Sequence, residues 1–556
     1  MKKKSSIAVI LSLIMTIGLM AGCGETAGEN SGSDDTATGT SALADTGKVD
    51  SAIENASIVE DASGYLYTGE APITQDGGTI KILAQKSNYA NVDITKAPIV
   101  LKVFEEAGVE PDFELMDYDK YESIVAPILS SADTDADIIK IPDSGDPNQV
   151  YIKSGLFVPL DEYFDYMPNY TRWLSANPVE KAELTAEDGH IYYVPGLNVA
   201  DDYQPCLMYN QVWLDKAGVS APENLDDFVD LLRYFKDNDM NDNGDASDEI
   251  PMSIMSEFLP YMFGPAFGLD LVSGFQADKS GNVTYAYADA ENYKKYLEFL
   301  NGLYEEGLLE SDYTSLDRDM VIDRISKDLT GVAFDFSWAM SMMYSNVLPY
   351  YDGTAATAFV GVAPLSGEQK GFYVGRNALA GMFGVNINSD EIELAVKFLD
   401  YAMSDHCQDY YQWGFEGESY VVKADGSREY TEKGNDNDWL QALGINPAFV
   451  LPADQSVEAT DILVAPWHAE INRELRKYIQ NPWPSIYATS KESDTVNLYM
   501  EDIQNTVNDS ATAFIKGEKS LDTDFDAYIT SLEDLNLDEV TEVKQAQYNR
   551  YLKALE

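Results

Sequence analysis

Cysteine and histidine are nearly absent from this chain, with three of each in 556 residues. Cys23, Cys206 and Cys407 are too few for a disulfide framework and form no Cys-x-x-Cys pair, which excludes zinc knuckles. Cys206 and Cys407 could pair in an oxidising compartment, but nothing in their spacing favours it, and two buried thiols are expected. The scarcity of His190, His406 and His468 leaves little of the side chain that usually serves as a base near neutral pH. No Gly-x-Ser-x-Gly elbow, Walker loop or His-Glu-x-x-His helix occurs. Cations are short too: 37 Lys and Arg face 95 Asp and Glu, a net charge of −58. A surface of that sign repels polyanions, so nucleic acid is excluded as a partner and anionic head groups are poor ones. After the first twenty residues no apolar run is long enough to span a bilayer.

What the chain does have begins at its amino end. Lys2, Lys3 and Lys4 precede a mostly apolar run from Ile7 to Met20 that stops at Ala21-Gly22-Cys23. A basic start, a short apolar core and a small-residue exit make an export signal; an uncleaved membrane anchor is the alternative. Small residues directly before a cysteine resemble the lipobox of bacterial lipoprotein signal peptides. That resemblance implies cleavage before Cys23, a lipid thioether on its sulfur, and a body held outside the cytoplasm on a membrane. Residues 24–78 are rich in Ser, Thr, Gly, Ala and Asp, with few large apolar residues until Tyr65 and Tyr67, and read as a flexible acidic tether.

With 45% hydrophobic residues and 36 tyrosines, the remainder can bury large cores, and its length predicts two or more domains. Thr79 to Leu83 alternates like a strand, Asp137 to Ile141 is a second candidate, and Ala97 to Ala107 reads as a helix ended by Gly108. Strand, helix, strand predicts an α/β sheet. Farther on, Asn224 can cap a helix with Phe228, Leu231, Leu232 and Phe235 on one face. Tyr293 to Tyr304, Leu394 to Ala402 and Val496 to Phe514 carry similar stripes, all read as core, and Gly331 to Phe336 is a strand among them.

The sharpest local signal is Asp239-Met240-Asn241-Asp242-Asn243-Gly244-Asp245-Ala246-Ser247-Asp248-Glu249. Oxygen-bearing side chains at positions 1, 3 and 5 followed by glycine match the first half of a calcium loop, because calcium wants six to eight hard oxygens. The EF-hand glutamate expected at position 12 is Ile250, so a calcium switch is not expected and a single structural ion is. A solvated Asx-rich turn is the alternative.

Met208 to Val219, with Tyr209-Asn210, Trp213-Leu214-Asp215-Lys216 and Gly218, resembles a signature stretch of extracellular solute-binding proteins of ABC importers. Tyr304 to Leu309, Gly331 to Trp338, Gly414 to Tyr420 and the tail from Phe514 to Tyr551 agree in order. The chain is most similar to the carbohydrate-binding subgroup related to the lipoprotein LplA and to alginate-binding proteins. The resemblance implies a two-lobed α/β periplasmic-binding-protein fold, with each lobe a mixed sheet flanked by helices and the ligand between them. It implies a first lobe of 79–205 with about 375–455 and a second of 206–374 with about 456–556. It implies calcium held by Asp239, Asn241, Asn243, Asp245, Asp248 and Glu249, the separate roles of Ser247, Asp248 and Glu249 staying open. It also implies an oligosaccharide ligand, ABC permease subunits as partners, a monomer, and no catalysis.

A sugar offers hydroxyls at its rim and C–H faces above and below, so its site needs aromatic platforms and short polar groups. Trp338, at the end of a predicted strand beside Asp335, is the first candidate. Trp413, Tyr373, Trp173 and Trp483 lie near predicted loops, Arg376 and Asn377 on a probable crossover, and Asn88 and Tyr89 after the first strand. Packing in the core is the alternative for each. Paired carboxylates could equally belong to a surface carbohydrate hydrolase, the competing expectation.

Overall fold

The computed structural model describes residues 47–555 except 88–91, 143–151, 153, 198–204, 376–378, 455–456, 458–460 and 462–463. The signal, Cys23, Asn88, Tyr89, Arg376 and Asn377 therefore lie outside the described residues. In chain order the strands are β1 (Thr79–Gln85), β2 (Glu110–Met116), β3 (Ile138–Lys140), β4 (Tyr193–Leu197), β5 (Pro205–Asn210) and β6 (Ile250–Ser253). There follow β7 (Phe275–Ala277), β8 (Val283–Tyr285), β9 (Thr330–Phe336), β10 (Phe359–Val362) and β11 (Tyr373–Val374). The last are β12 (Leu379–Val385), β13 (Tyr420–Val422), β14 (Arg428–Tyr430) and β15 (Ile479–Gln480).

Two mixed sheets organise the body. The first has the order β2-β1-β3-β12-β4, with β1 parallel to β2 and β3 while β12 runs antiparallel to β3 and β4. Both faces of β1 are covered: Ile80, Ile82 and Ala84 enter one core and Leu83 another, as parallel strands require. The helix Pro98–Ala107 starts on a proline at its first turn and ends at Gly108, whose φ of 80° lets its N–H reach the Phe104 and Glu105 carbonyls. Its Phe104 lies 4.4 Å, centroid to centroid, from Phe398 of the helix Ile392–Ala402.

The second sheet has the order β10-β5-β9-β6, and every residue of its inner strand β9 is buried. Asn224 does cap the helix Leu225–Asp237, accepting from the Asp227 N–H, and Phe228, Leu231, Leu232 and Phe235 are the buried face. The main core under this sheet draws on residues 206–373 and 475–540, whereas that of the first sheet draws on 49–194 and 383–453. Cys206 belongs to one and Cys407 to the other, both as free buried thiols.

The tether reading fails from residue 47 onward. Gly47–Asn55 is a helix, and Val49, Tyr67 and Ile73 are buried. Tyr67 donates its hydroxyl to Asp400 at 2.7 Å, and Asp61 pairs with the buried Lys397 ammonium at 2.7 Å. A polar average hides this strap because a few large side chains, widely spaced, do the packing.

Candidate ligand-binding site

Strand directions mark one candidate edge on each sheet. The carboxyl ends of β1, β3 and β4 and the start of β12 share one edge of the first sheet, where open sheets bind ligands. In the second sheet Pro205 pairs with Phe336, so the start of β5 meets the carboxyl ends of β9 and, alongside it, β6. Residues 198–204 link β4 to β5, and residues 375–378 link β11 to β12. The first of these connects the two edges through the chain, since β4 ends at one and β5 starts at the other, whereas β11 pairs with β15 outside both sheets.

Trp338 follows β9 directly and packs half-buried against the second core. One face of its indole carries the Arg318 guanidinium, 5.3 Å from the ring. That guanidinium is committed to Asp335 through Nε at 2.7 Å and Nη2 at 2.8 Å. Asp335 is fully buried and also accepts from the Tyr344 hydroxyl at 2.6 Å. Burial alone would depress the Arg318 pKa, but its bonds to Asp335 outweigh that and hold it above the usual value. Asp335 is thus a support beneath Arg318 and, through it, Trp338. Arg318 had no signal in the sequence beyond following Asp317, which caps its helix.

The other aromatic candidates divide. Trp413 is 2% exposed, packed against Tyr420 and Tyr430 with Arg428 over its ring, and is core. Tyr373 is fully buried; its hydroxyl donates to the Val362 carbonyl at 2.8 Å and accepts from the Leu207 N–H at 3.1 Å. Both were expected near loops, yet the hairpin just after Trp413 closes over it, and Tyr373 is held by Val362 and the distant Leu207. Trp173 is half-buried, stacks on Tyr170 and donates to Asp454 at 3.2 Å. The other Asp454 oxygen accepts the Leu197 N–H at 2.7 Å, fixing that carboxylate at the end of β4. Trp483 stacks on Tyr548 at 5.1 Å, away from Trp338 in the contacts it makes.

A polar group that the sequence did not single out packs on the turn that follows Trp338. His468 and Asn472, on the helix Pro466–Leu475, are buried, and His468 Nδ1 is 2.6 Å from Ser341 Oγ. Ser341 sits in a π-helical turn, Met340–Tyr344, that begins two residues after Trp338. Burial lowers the His468 pKa to about 4, so the ring is neutral.

The acidic loop folds onto itself. Asp239 accepts from the N–H groups of Asn243 at 3.1 Å and Gly244 at 2.8 Å, and Asn241 and Asn243 make Asx turns. Asp245 accepts from Ser247, and Asn243 donates to Asp248 at 2.8 Å. Glu249 is buried, bonds the Met240 N–H at 2.7 Å, and burial holds its pKa above the ordinary carboxylate value. Asp248 Oδ1 and Glu249 Oε2 are buried with no donor. Two orphaned carboxylate oxygens among Asp and Asn side chains fit a hard divalent cation. Among the described residues, no three His, Cys, Asp or Glu side chains alone make a metal cluster, so Asn oxygens would belong to any such donor set.

The chain belongs to the bacterial extracellular solute-binding protein family, whose model matches residues 86–406. It is 26% identical over 527 residues to a fructooligosaccharide ABC transporter substrate-binding protein, FusA, of Streptococcus pneumoniae serotype 4. The alignment covers 88% of this chain and 93% of the relative. Lipoprotein LipO of Bacillus subtilis is 24% identical over 379 residues, covering 66% and 72%. Among solved structures, an HMO-binding, ABC-transporter-associated solute-binding protein of Bifidobacterium longum infantis superposes with a TM-score of 0.70 at 20% identity, covering 86% and 99%. An EF-hand mutant of FusA bound to fructo-nystose superposes at 0.66 with 22% identity, covering 85% and 99%. The two mixed sheets, each flanked by helices, are the two-domain α/β fold of solute-binding proteins.

Proposed function

We propose that the chain captures an oligosaccharide outside the cell and passes it, chemically intact, to the permease of an ABC importer. The observation that carries this reading is the near end-to-end similarity to a fructooligosaccharide-binding relative, over 93% of that protein. Trp338 is the platform this reading places against a sugar face, with Trp173 the second candidate at the other sheet edge. Trp483, Arg376, Asn377, Asn88 and Tyr89 keep the roles expected of them as proposals. The first lobe is taken as 79–205 with about 375–455, now joined by the strap from residue 47, and the second as 206–374 with about 456–556. Closure of the two would expel water from around the ligand. Cys23 would carry the lipid that holds a monomeric body at the membrane.

Isothermal titration against a panel of neutral oligosaccharides should give micromolar binding to at least one, about −8 kcal/mol. Chromatography of the recovered sugar should show no new product. Release of shorter sugars would instead make the chain a hydrolase.

Calcium would sit in the acidic loop, held by oxygens of Asp239, Asn241, Asn243, Asp245, Asp248 and Glu249, with Lys216 bracing the loop through the Asp239 carbonyl at 2.6 Å. Its part would be to neutralise crowded carboxylates and pin the loop behind the helix Leu225–Asp237. A chelator should therefore lower the melting temperature by several degrees, since a ligand at about a hundred times its Kd contributes about 2.7 kcal/mol. Metal analysis should find one calcium per chain. An unchanged melting curve with no calcium would leave the loop an Asx-rich turn.

A further inference from the structure

A carboxylate at the edge of the second sheet stands open and unmatched. Glu257 lies in the 3₁₀ turn Ser256–Phe258, which follows the carboxyl end of β6. β6 runs parallel to β9 with Ser253 opposite Ala333, so this turn comes out on the same edge as Asp335 and Trp338. The turn is firmly held. Phe258 is buried, its ring 5.5 Å from that of Phe334 and 5.7 Å from that of Phe336, and Met255 and Leu259 enter the same core. Glu257, between these anchors, turns outward. Its side chain is exposed, accepts no hydrogen bond and makes no ion pair among the described residues.

Its surroundings differ from those of an ordinary surface acid. Desolvation by the protein around it raises the Glu257 pKa above the usual carboxylate value; Arg318 draws it down and Asp335 adds to the rise. A side chain open to water and still partly desolvated stands in a concavity, where a ligand can reach it. Arg318 is near enough to act on Glu257, yet that guanidinium is spent on Asp335 and lies over the Trp338 ring. The Arg318–Asp335 pair is neutral as a unit, so Glu257 leaves a net negative charge beside the Trp338 platform. Carboxylates suit neighbouring hydroxyls, since each oxygen can accept an O–H and such charge-assisted bonds are about twice as strong as neutral ones. The same charge repels a ring that bears its own carboxylate.

We infer that Glu257 is a ligand-binding and specificity-determining residue, its carboxylate accepting hydroxyl hydrogens of the sugar ring carried by Trp338 and turning away rings that bear an acid. The inference rests on the oligosaccharide-binding reading above and adds to it the group that a neutral sugar meets at the edge of the second sheet.

The test is isothermal titration of the purified protein, and of Glu257→Gln and Glu257→Ala, with kestose, maltotriose, cellotriose, mannotriose and a tri-galacturonate. Wild type should bind at least one neutral member and not the tri-galacturonate. Glu257→Gln, which keeps the shape and one acceptor without the charge, should weaken that binding about threefold or more, and Glu257→Ala about tenfold or more. Without ligand both variants should melt within about two degrees of wild type, because an exposed, unpaired side chain holds nothing in place. If wild type binds a neutral sugar and both variants stay within about twofold of its Kd, Glu257 is a solvated surface acid and its assignment alone falls. Preferred binding of the acidic sugar by wild type overturns the assignment as well. If wild type binds none of the five, the assignment falls together with this choice of cargo.

Discussion

Arg318→Met should cost about 3–5 kcal/mol of stability, measured by urea unfolding, and weaken oligosaccharide binding as well. Asp335 is fully buried on the inner strand β9, and two of its bonds come from Arg318. Without the guanidinium, a carboxylate remains in a site water does not reach, supported by the Tyr344 hydroxyl and the Phe336 N–H. Protonating the carboxyl or admitting water would each relieve the charge at a cost. The same substitution strips the cation from the face of Trp338, so the ring loses what fixes its tilt. Arg318→Met combined with Asp335→Leu should regain most of the stability, because no uncompensated charge is left. A single-variant loss below about 1 kcal/mol would mean that solvent already screens this pair.

How much of this was legible beforehand varies with the range of the interaction. The helix capped by Asn224 and the strand ending at Phe336 were visible because their signals are local: a side-chain cap, a 3.6-residue stripe, an unbroken apolar run. The acidic loop was visible for the same reason. Glu110–Met116, an edge strand, escaped because Glu110, Asp112 and Glu114 make it look like a charged loop, though the alternation with Phe113 and Leu115 was there to read. The strap from residue 47 escaped because its anchors, Asp400 and Lys397, lie more than three hundred residues away. Tertiary packing also sorted the aromatics. Trp413 is enclosed by residues from a later hairpin, and Tyr373 by β5 and β10. Chemistry-bearing residues such as Arg318, His468 and Asn472 gain their meaning only from neighbours that the fold brings to them.

The family signature at Tyr209 to Lys216 proves to be structural, and its centre is a residue outside it. Asp328 accepts at one oxygen from Asn210 Nδ2 at 3.1 Å, Trp213 Nε1 at 3.1 Å and the Tyr350 hydroxyl at 2.8 Å. Asn210 also caps the helix Gln211–Ala217, and the Trp213 ring fills the space beside Gly331, where a Cβ would come within 2.5 Å of it. Asp328 itself has φ of 56°, a left-handed conformation that Asp and Asn tolerate and alanine pays for. Burial raises its pKa, so the acceptor geometry matters here more than the charge. Asp328→Ala should therefore destabilise the protein by about 3 kcal/mol, leaving the Trp213 N–H without an acceptor, Asn210 and the Tyr350 hydroxyl with only each other, and the turn strained. Asp328→Asn keeps an acceptor oxygen and the backbone conformation, and should cost about 1 kcal/mol or less. Equal losses for the two variants in urea unfolding would mean that the charge, and not the shared acceptor, holds this corner together. If the two separate as expected, a signature of solute-binding proteins is in this chain a device for fixing β9, and with it Trp338, against the helices behind.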